Sequence, residues 1–142
     1  MAVQVKTVEV WSGMMPDQAG ALDSILTALA AAGANLECVV ARRQPDQVGM
    51  GHVYLTPVKG KKAVAAAQSA GLKPANTVTL RVESANKPGS GHKIMAAVAA
   101  ANINVRGVSM IALGTKSVAY IGLDSAADAA LATKAIKAAA KK

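Results

Sequence analysis

Hydrophobic and polar positions alternate with a two-residue period twice along the chain. Val8 and Val10 alternate with Thr7 and Glu9, and Val78, Leu80 and Val82 alternate with Thr79 and Arg81, the period of a half-buried strand. Each of these strands leads into a polar loop bearing Gly and Pro, at residues 12–20 and 84–91. The period then lengthens to that of a helix, with Leu22, Ile25, Leu26 and Leu29 in one segment and Ile94, Val98 and Ala101 in the other. Gly33 closes the first helix where a left-handed residue is wanted, and Asn102, the residue type next most tolerant of that conformation, holds the equivalent place. Hairpins follow over residues 36–43 with 52–56 and over 105–113 with 118–123, turning at 44–47 and 114–116. A second helix is predicted in each half, at about residues 61–70 and 126–141.

The two halves are therefore copies. Asp17-Gln18-Ala19-Gly20, a helix and Asn35 recur as Asn86-Lys87-Pro88-Gly89, a helix and Asn104, and the glycines and the asparagines share one separation of 69 positions. Two runs of strand-helix-strand-strand-helix predict an α+β fold of two βαββαβ modules, each antiparallel sheet carrying its helices on one face. Each unit needs a closing strand, expected at residues 3–6 or in the 71–77 linker. The Gly/Pro-bearing linker sets the expected boundary, giving modules 1–72 and 73–142. A lone module of that size buries little surface, so a shared core is expected.

Composition narrows the chemistry. The chain has no Phe, one Trp and two Tyr among its 142 residues, so Val, Ile, Leu, Met and Ala must fill the interior. Its net charge of +8 lies on helix faces and near the C-terminus, and the stacking aromatics of RNA-binding sheets are nearly lacking, which argues against a nucleic-acid partner. The single Cys38 and the lack of zinc-type Cys/His spacing point to a reducing interior. No signal-peptide pattern and no apolar run of about 18 residues occurs. A cytoplasmic protein without a membrane partner is expected.

The strand, the loop ending in Asp/Asn-x-Pro-Gly, the helix with Leu/Ile at i, i+3, i+4 and the small-Asn-apolar opening of the next strand resemble the ACT domain, a small regulatory amino-acid-binding module. The resemblance covers nearly the whole chain as a tandem pair. It implies ferredoxin-like modules whose ligand, a free amino acid, lies at an inter-module interface. There the loop of one module faces the Asn of its neighbour. Carried onto this chain, the loops are Asp17, Gln18, Ala19 and Gly20, and Asn86, Lys87, Pro88 and Gly89, with Asn35 and Asn104 opposite. The first loop has Ala19 where the family prefers Pro, and the second helix begins Gly91-His92 where Leu is usual, so the two sites are not expected to be equal.

Elementary electrostatics fits that assignment. The first N–H groups of a helix lack intrahelical partners and carry partial positive charge, so those near Gly20, Ala21 and Leu22, or Gly89 and Ser90, suit an α-carboxylate. Asp17, Asn86 and the amide oxygens of Asn35 and Asn104 suit an α-ammonium. Met14 and Met15 are flexible thioethers that can line an adaptable apolar pocket. Each element also has a plain structural use: Asp17 or Asn86 as an N-cap, the glycines as turn residues.

Other motifs carry less. Gly89-Ser90-Gly91-His92-Lys93 lacks phosphate-loop spacing, and Ile94 follows its lysine. His92 is expected to face solvent, and His52 has no acidic or thiol neighbour to share a metal with. No nucleophile has a base at useful spacing, so neither catalysis nor a cofactor is expected. The leading expectation is a non-catalytic amino-acid-binding regulator that forms a homodimer. The alternative is a protein–protein regulator of a transcription factor or metabolic enzyme without its own ligand.

Overall fold

The computed structural model describes residues 2–142; Met1 lies outside them. The chain divides into two compact units, Glu9–Asn76 (the first module) and residues up to Val8 with Thr77–Lys142 (the second module). Each has its own buried cluster, where the sequence suggests a shared one.

In the first module the elements run β2 (Trp11–Pro16), α1 (Ala21–Ala31), β3 (Cys38–Arg43), β4 (Met50–Thr56), α2 (Lys61–Ser69) and β5 (Lys73–Pro74). The second runs β6 (Val78–Ala85), α3 (Ser90–Ala100), β7 (Val105–Leu113), β8 (Lys116–Leu123) and α4 (Ala126–Ala140), with β1 (Gln4–Val8) from the start of the chain. The sheets have orders β3-β4-β2-β5 and β1-β6-β8-β7 and are antiparallel throughout. Both are α+β, ferredoxin-like βαββαβ arrangements.

Both expected locations for a closing strand are used. The linker supplies β5, where Trp11 faces Pro74 and Ser12 faces Lys73. The N-terminal segment supplies β1, pairing Gln4 with Glu83 through Val8 with Thr79. The strand read around Val8 and Val10 thus ends at Val8 and belongs to the second module, and the first module's own opening strand is β2. That stretch reads as loop in the sequence because Ser12, Gly13 and Pro16 are poor strand residues. Gly13 is there for space: a Cβ would lie 2.7 Å from the Leu72 side chain and 2.9 Å from the Gly71 carbonyl oxygen.

The cores sit between sheet and helices. In the first module Trp11, Val53 and Leu55 from the strands meet Ile25 and Leu29 of α1 and Ala63 and Ala67 of α2. In the second, Leu80, Val82 and Ile121 meet Ile94 and Val98 of α3 and Ala132 and Ile136 of α4. Alanine-rich α2 and α4 pack closely on the sheets.

Helix ends follow the predicted chemistry. Gly33 has φ 81° and Asn102 φ 58°, left-handed at equivalent positions. Gly20 and Gly89, with φ 86° and 83°, are the N-cap residues of α1 and α3, and neither helix has a side-chain cap. By contrast Ser125 caps α4 by accepting from the Asp128 amide at 3.1 Å.

Replacing Asn102 by Ala should cost about 1 kcal/mol of stability, the order of the left-handed penalty, while Asn102→Gly should cost nothing; chemical denaturation of both variants checks this. Because β1 closes only the second sheet, removing its pairing segment should lower the unfolding transition of the second module while leaving that of the first. Trp11 fluorescence reports the first module alone and separates the two outcomes.

Candidate functional site

In the first module the loop between β2 and α1 is held at both ends. The Asp17 amide donates to the Gly49 carbonyl at 2.9 Å, the Gln18 amide to Pro16 at 3.0 Å and the Ala21 amide to Gln18 at 3.3 Å. Asp17 is no N-cap; its carboxylate accepts from Arg43 Nε at 2.6 Å. This ion pair joins the start of α1 to the end of β3. With Arg43 78% and Asp17 33% exposed, it contributes only about 0–1 kcal/mol, which makes it easy to exchange for another charge.

The pair borders a hollow of about 250 Å³. Met15, Pro16, Asp17, Gln18, Gly20, Ala21, Leu22 and Asp23 form one side, and Ala41, Arg42, Arg43 and Gly51 the other. The register explains the gathering: Met15 faces Gly51, and Gly51 faces Arg43. A Cβ on Gly51 would lie 3.2 Å from Met15 Cε and 3.1 Å from the Arg42 carbonyl oxygen, so a larger residue would crowd the floor. A second hollow, about 390 Å³, shares Met15, Pro16, Gln18 and Ala21 with the first and continues between α1 and α2 past Ile25, Ala28 and Ala66.

The second module's junction is arranged differently. Asn86 donates from its side chain to the Gly114 carbonyl at 3.0 Å, and its amide donates to Thr115 at 2.9 Å. Buried Ser90 donates its hydroxyl to the Ala85 carbonyl at 2.8 Å and accepts from the Lys87 amide at 3.2 Å. A Cβ on Gly91 would lie 2.9 Å from Met110 Sδ. By the 69-residue offset, Gly91 stands where the first module has Leu22, Met110 where it has Ala41, and Ala112 where it has Arg43. The second copy has no ion pair at this place.

Of the residues singled out in the sequence, Met15, Asp17, Gln18, Gly20, Ala21 and Leu22 line the first hollow. Ala19, Asn86, Lys87, Pro88 and Gly89 are exposed loop residues. Asn35 and Asn104 are exposed and follow the C-terminal ends of α1 and α3. An 11-residue helix is about 16 Å long, so no module brings its own asparagine to its own loop. Arg43 and Gly51 were not anticipated; the sequence shows Arg43 only as a charge ending a strand, and the register of the β3–β4 hairpin is the signal that places it.

Burial pushes the Cys38 thiol above its ordinary pKa, opposite to the shift of an activated nucleophile. His52 stacks on Tyr54 with ring centres 4.5 Å apart, and its buried Nε2 has no hydrogen-bond partner among the described residues. His92 is exposed. Among the described residues no three His, Cys, Asp or Glu side chains converge on a metal position, and no helix is long and apolar enough to cross a membrane.

No protein-family profile and no curated protein matches the chain. Solved structures do. The protein BT0572 from Bacteroides thetaiotaomicron superposes with a TM-score of 0.78 at 16% identity, covering 94% of this chain and 90% of that one. The ligand-free regulatory subunit of aspartate kinase from Thermus thermophilus gives 0.68 at 16% identity, with 98% and 97% covered. Escherichia coli aspartokinase III in complex with lysine and aspartate gives 0.55 at 11% identity, and there 95% of this chain matches only 32% of the enzyme. At these identities the likeness is one of fold, and that fold is a pair of ferredoxin-like α+β modules.

Proposed function

We propose that the chain is a non-catalytic regulatory protein of the cytoplasm that binds a free amino acid at a loop-to-helix junction. The observation that carries this reading is the first module's hollow, where an Asp17–Arg43 pair, a left-handed glycine and an uncapped helix start meet. Opposite charges at one mouth suit a zwitterion: Asp17 accepts the ammonium, Arg43 donates to the carboxylate, and the helix N-terminus adds partial positive charge. Asn35 and Asn104, each at the far end of its own helix from its own loop, serve the ligand only where a neighbouring module presents one to the other. Ligand shared across modules ties binding to assembly, which is how such a protein reports a metabolite level. Regulatory subunits of aspartate kinase with this fold support the regulatory part of the reading.

A protein-partner reading also has an observation behind it. Edge strand β7 exposes Met110 (42%), Ile111 (68%) and Leu113 (83%), and such an edge invites pairing with another chain. The other edges are blunted: β5 has two residues, β1 carries Lys6 and β3 ends in Arg42 and Arg43. A homodimer through this edge, or a regulated partner seated on it, is compatible with ligand binding elsewhere.

A thermal-shift screen of the twenty amino acids should raise the melting temperature for one or two of them. At a hundredfold excess over Kd the gain is about 2.7 kcal/mol, a shift of several degrees. Asn35→Ala or Asn104→Ala should shrink it, and no response to any amino acid would overturn the reading. Ile111→Lys with Leu113→Lys should lower the mass measured by light scattering if β7 joins two copies; an unchanged mass contradicts that pairing.

A further inference from the structure

The two hollows of the first module meet along Met15, Pro16, Gln18 and Ala21, so the charged mouth opens beside an apolar one. The larger hollow, about 390 Å³, has no charged residue in its lining. Met14, Met15, Ile25, Ala28 and Ala66 give it an oily wall, and the few polar groups there, such as Ser24, are neutral. Such a hollow accepts methyl and methylene groups and penalises a buried charge.

We propose that the ligand is an amino acid with an apolar side chain, bound at one site per chain in the first module: its ammonium and carboxylate lie between Asp17 and Arg43, and its side chain enters the Met14–Ala66 hollow. This rests on the amino-acid reading above and adds the class of side chain and the number of sites. The charge balance is the first reason. The resting Asp17–Arg43 pair is neutral, and a zwitterion replaces each partner with a charge of the same sign, so both side chains keep a counter-charge when it enters. A cationic or anionic side chain would carry an unmatched charge into an apolar wall.

The second reason is the other copy. At the positions 69 residues on, Met14 and Met15 become Glu83 and Ser84, Asp17 becomes Asn86, Ser24 becomes Lys93 and Arg43 becomes Ala112. The two methionines and the ion pair disappear together, while Ile25, Ala28 and Ala66 keep apolar counterparts in Ile94, Ala97 and Ala135. Met110 occupies the place that Ala41 leaves open, against Gly91, and Asn86 is engaged with the Gly114 carbonyl. The second junction is built as a structural corner, while its counterpart is left open.

Equilibrium dialysis of the full chain against a radiolabelled equimolar mixture of the twenty L-amino acids, followed by chromatography of the retained label, tests this. Only members of the Leu, Ile, Val, Met and Phe group should be retained, at one per chain. Arg43→Gln should weaken retention roughly tenfold or more, as expected for a lost charge-assisted hydrogen bond. Ala28→Leu, which keeps a good helix former while filling the hollow, should abolish it. Circular dichroism and Trp11 fluorescence confirm that each variant is folded. Retention of a charged or hydroxylated amino acid, two ligands per chain, or full binding by folded Arg43→Gln and Ala28→Leu variants would overturn the inference while leaving the amino-acid reading intact. Retention of none of the twenty would overturn that reading as well.

Discussion

The register of the β2–β4–β3 pairing is the constraint on which the first module's site depends. Val53 and Leu55 must face the helices to be buried, and because side chains alternate strictly across a strand, a slip of one residue would invert every neighbour. With that register fixed, Met15, Gly51 and Arg43 fall in one row at the sheet's end. Gly51 leaves room in the row, Met15 packs beside the core, and Arg43 reaches beyond the sheet to Asp17. The hollow is a consequence of core burial, because the hydrophobic alternation that stabilises the module also aims the two charges at each other.

Duplication lets the two junctions be compared within one chain. Both keep a left-handed glycine before the helix and a left-handed residue after it, since those backbone requirements come from the fold. What varies is what decorates the junction. An aspartate paired with an arginine in one is an asparagine bonded to a turn carbonyl in the other. Leu22 beside Ala41 is answered by Gly91 beside Met110, a reversal of large and small that leaves the first corner open and fills the second. Retaining the backbone device while dropping the ion pair and the two methionines separates what the fold requires from what it leaves free to vary.

Much of the architecture was legible in the sequence because it is periodic. The Leu22, Ile25, Leu29 spacing marks α1, and the Gly33 and Asn102 correspondence marks both helix ends. Strand β2 was hidden: Ser12, Gly13 and Pro16 carry no strand signal, and their extended form comes from pairing with β4, a non-local cause. The placement of β1 was half legible. A closing strand was needed somewhere, but only the pairing of Gln4–Val8 with Val78–Ala85 shows that the start of the chain completes the second module. At the site, the loop residues were visible as a repeated motif, whereas Arg43 was not, since a charge ending a strand looks the same whether it faces water or an aspartate from 26 residues away.

The central claim is that the Asp17–Arg43 mouth receives a zwitterion while its counterpart at Asn86 does not, and amide chemical-shift mapping during a titration with apolar L-amino acids tests it most directly. The account predicts saturable shifts clustered at residues 15–25 and at Arg43, with residues 86–91 unmoved. Equal shifts at both junctions, or none at either, would contradict it.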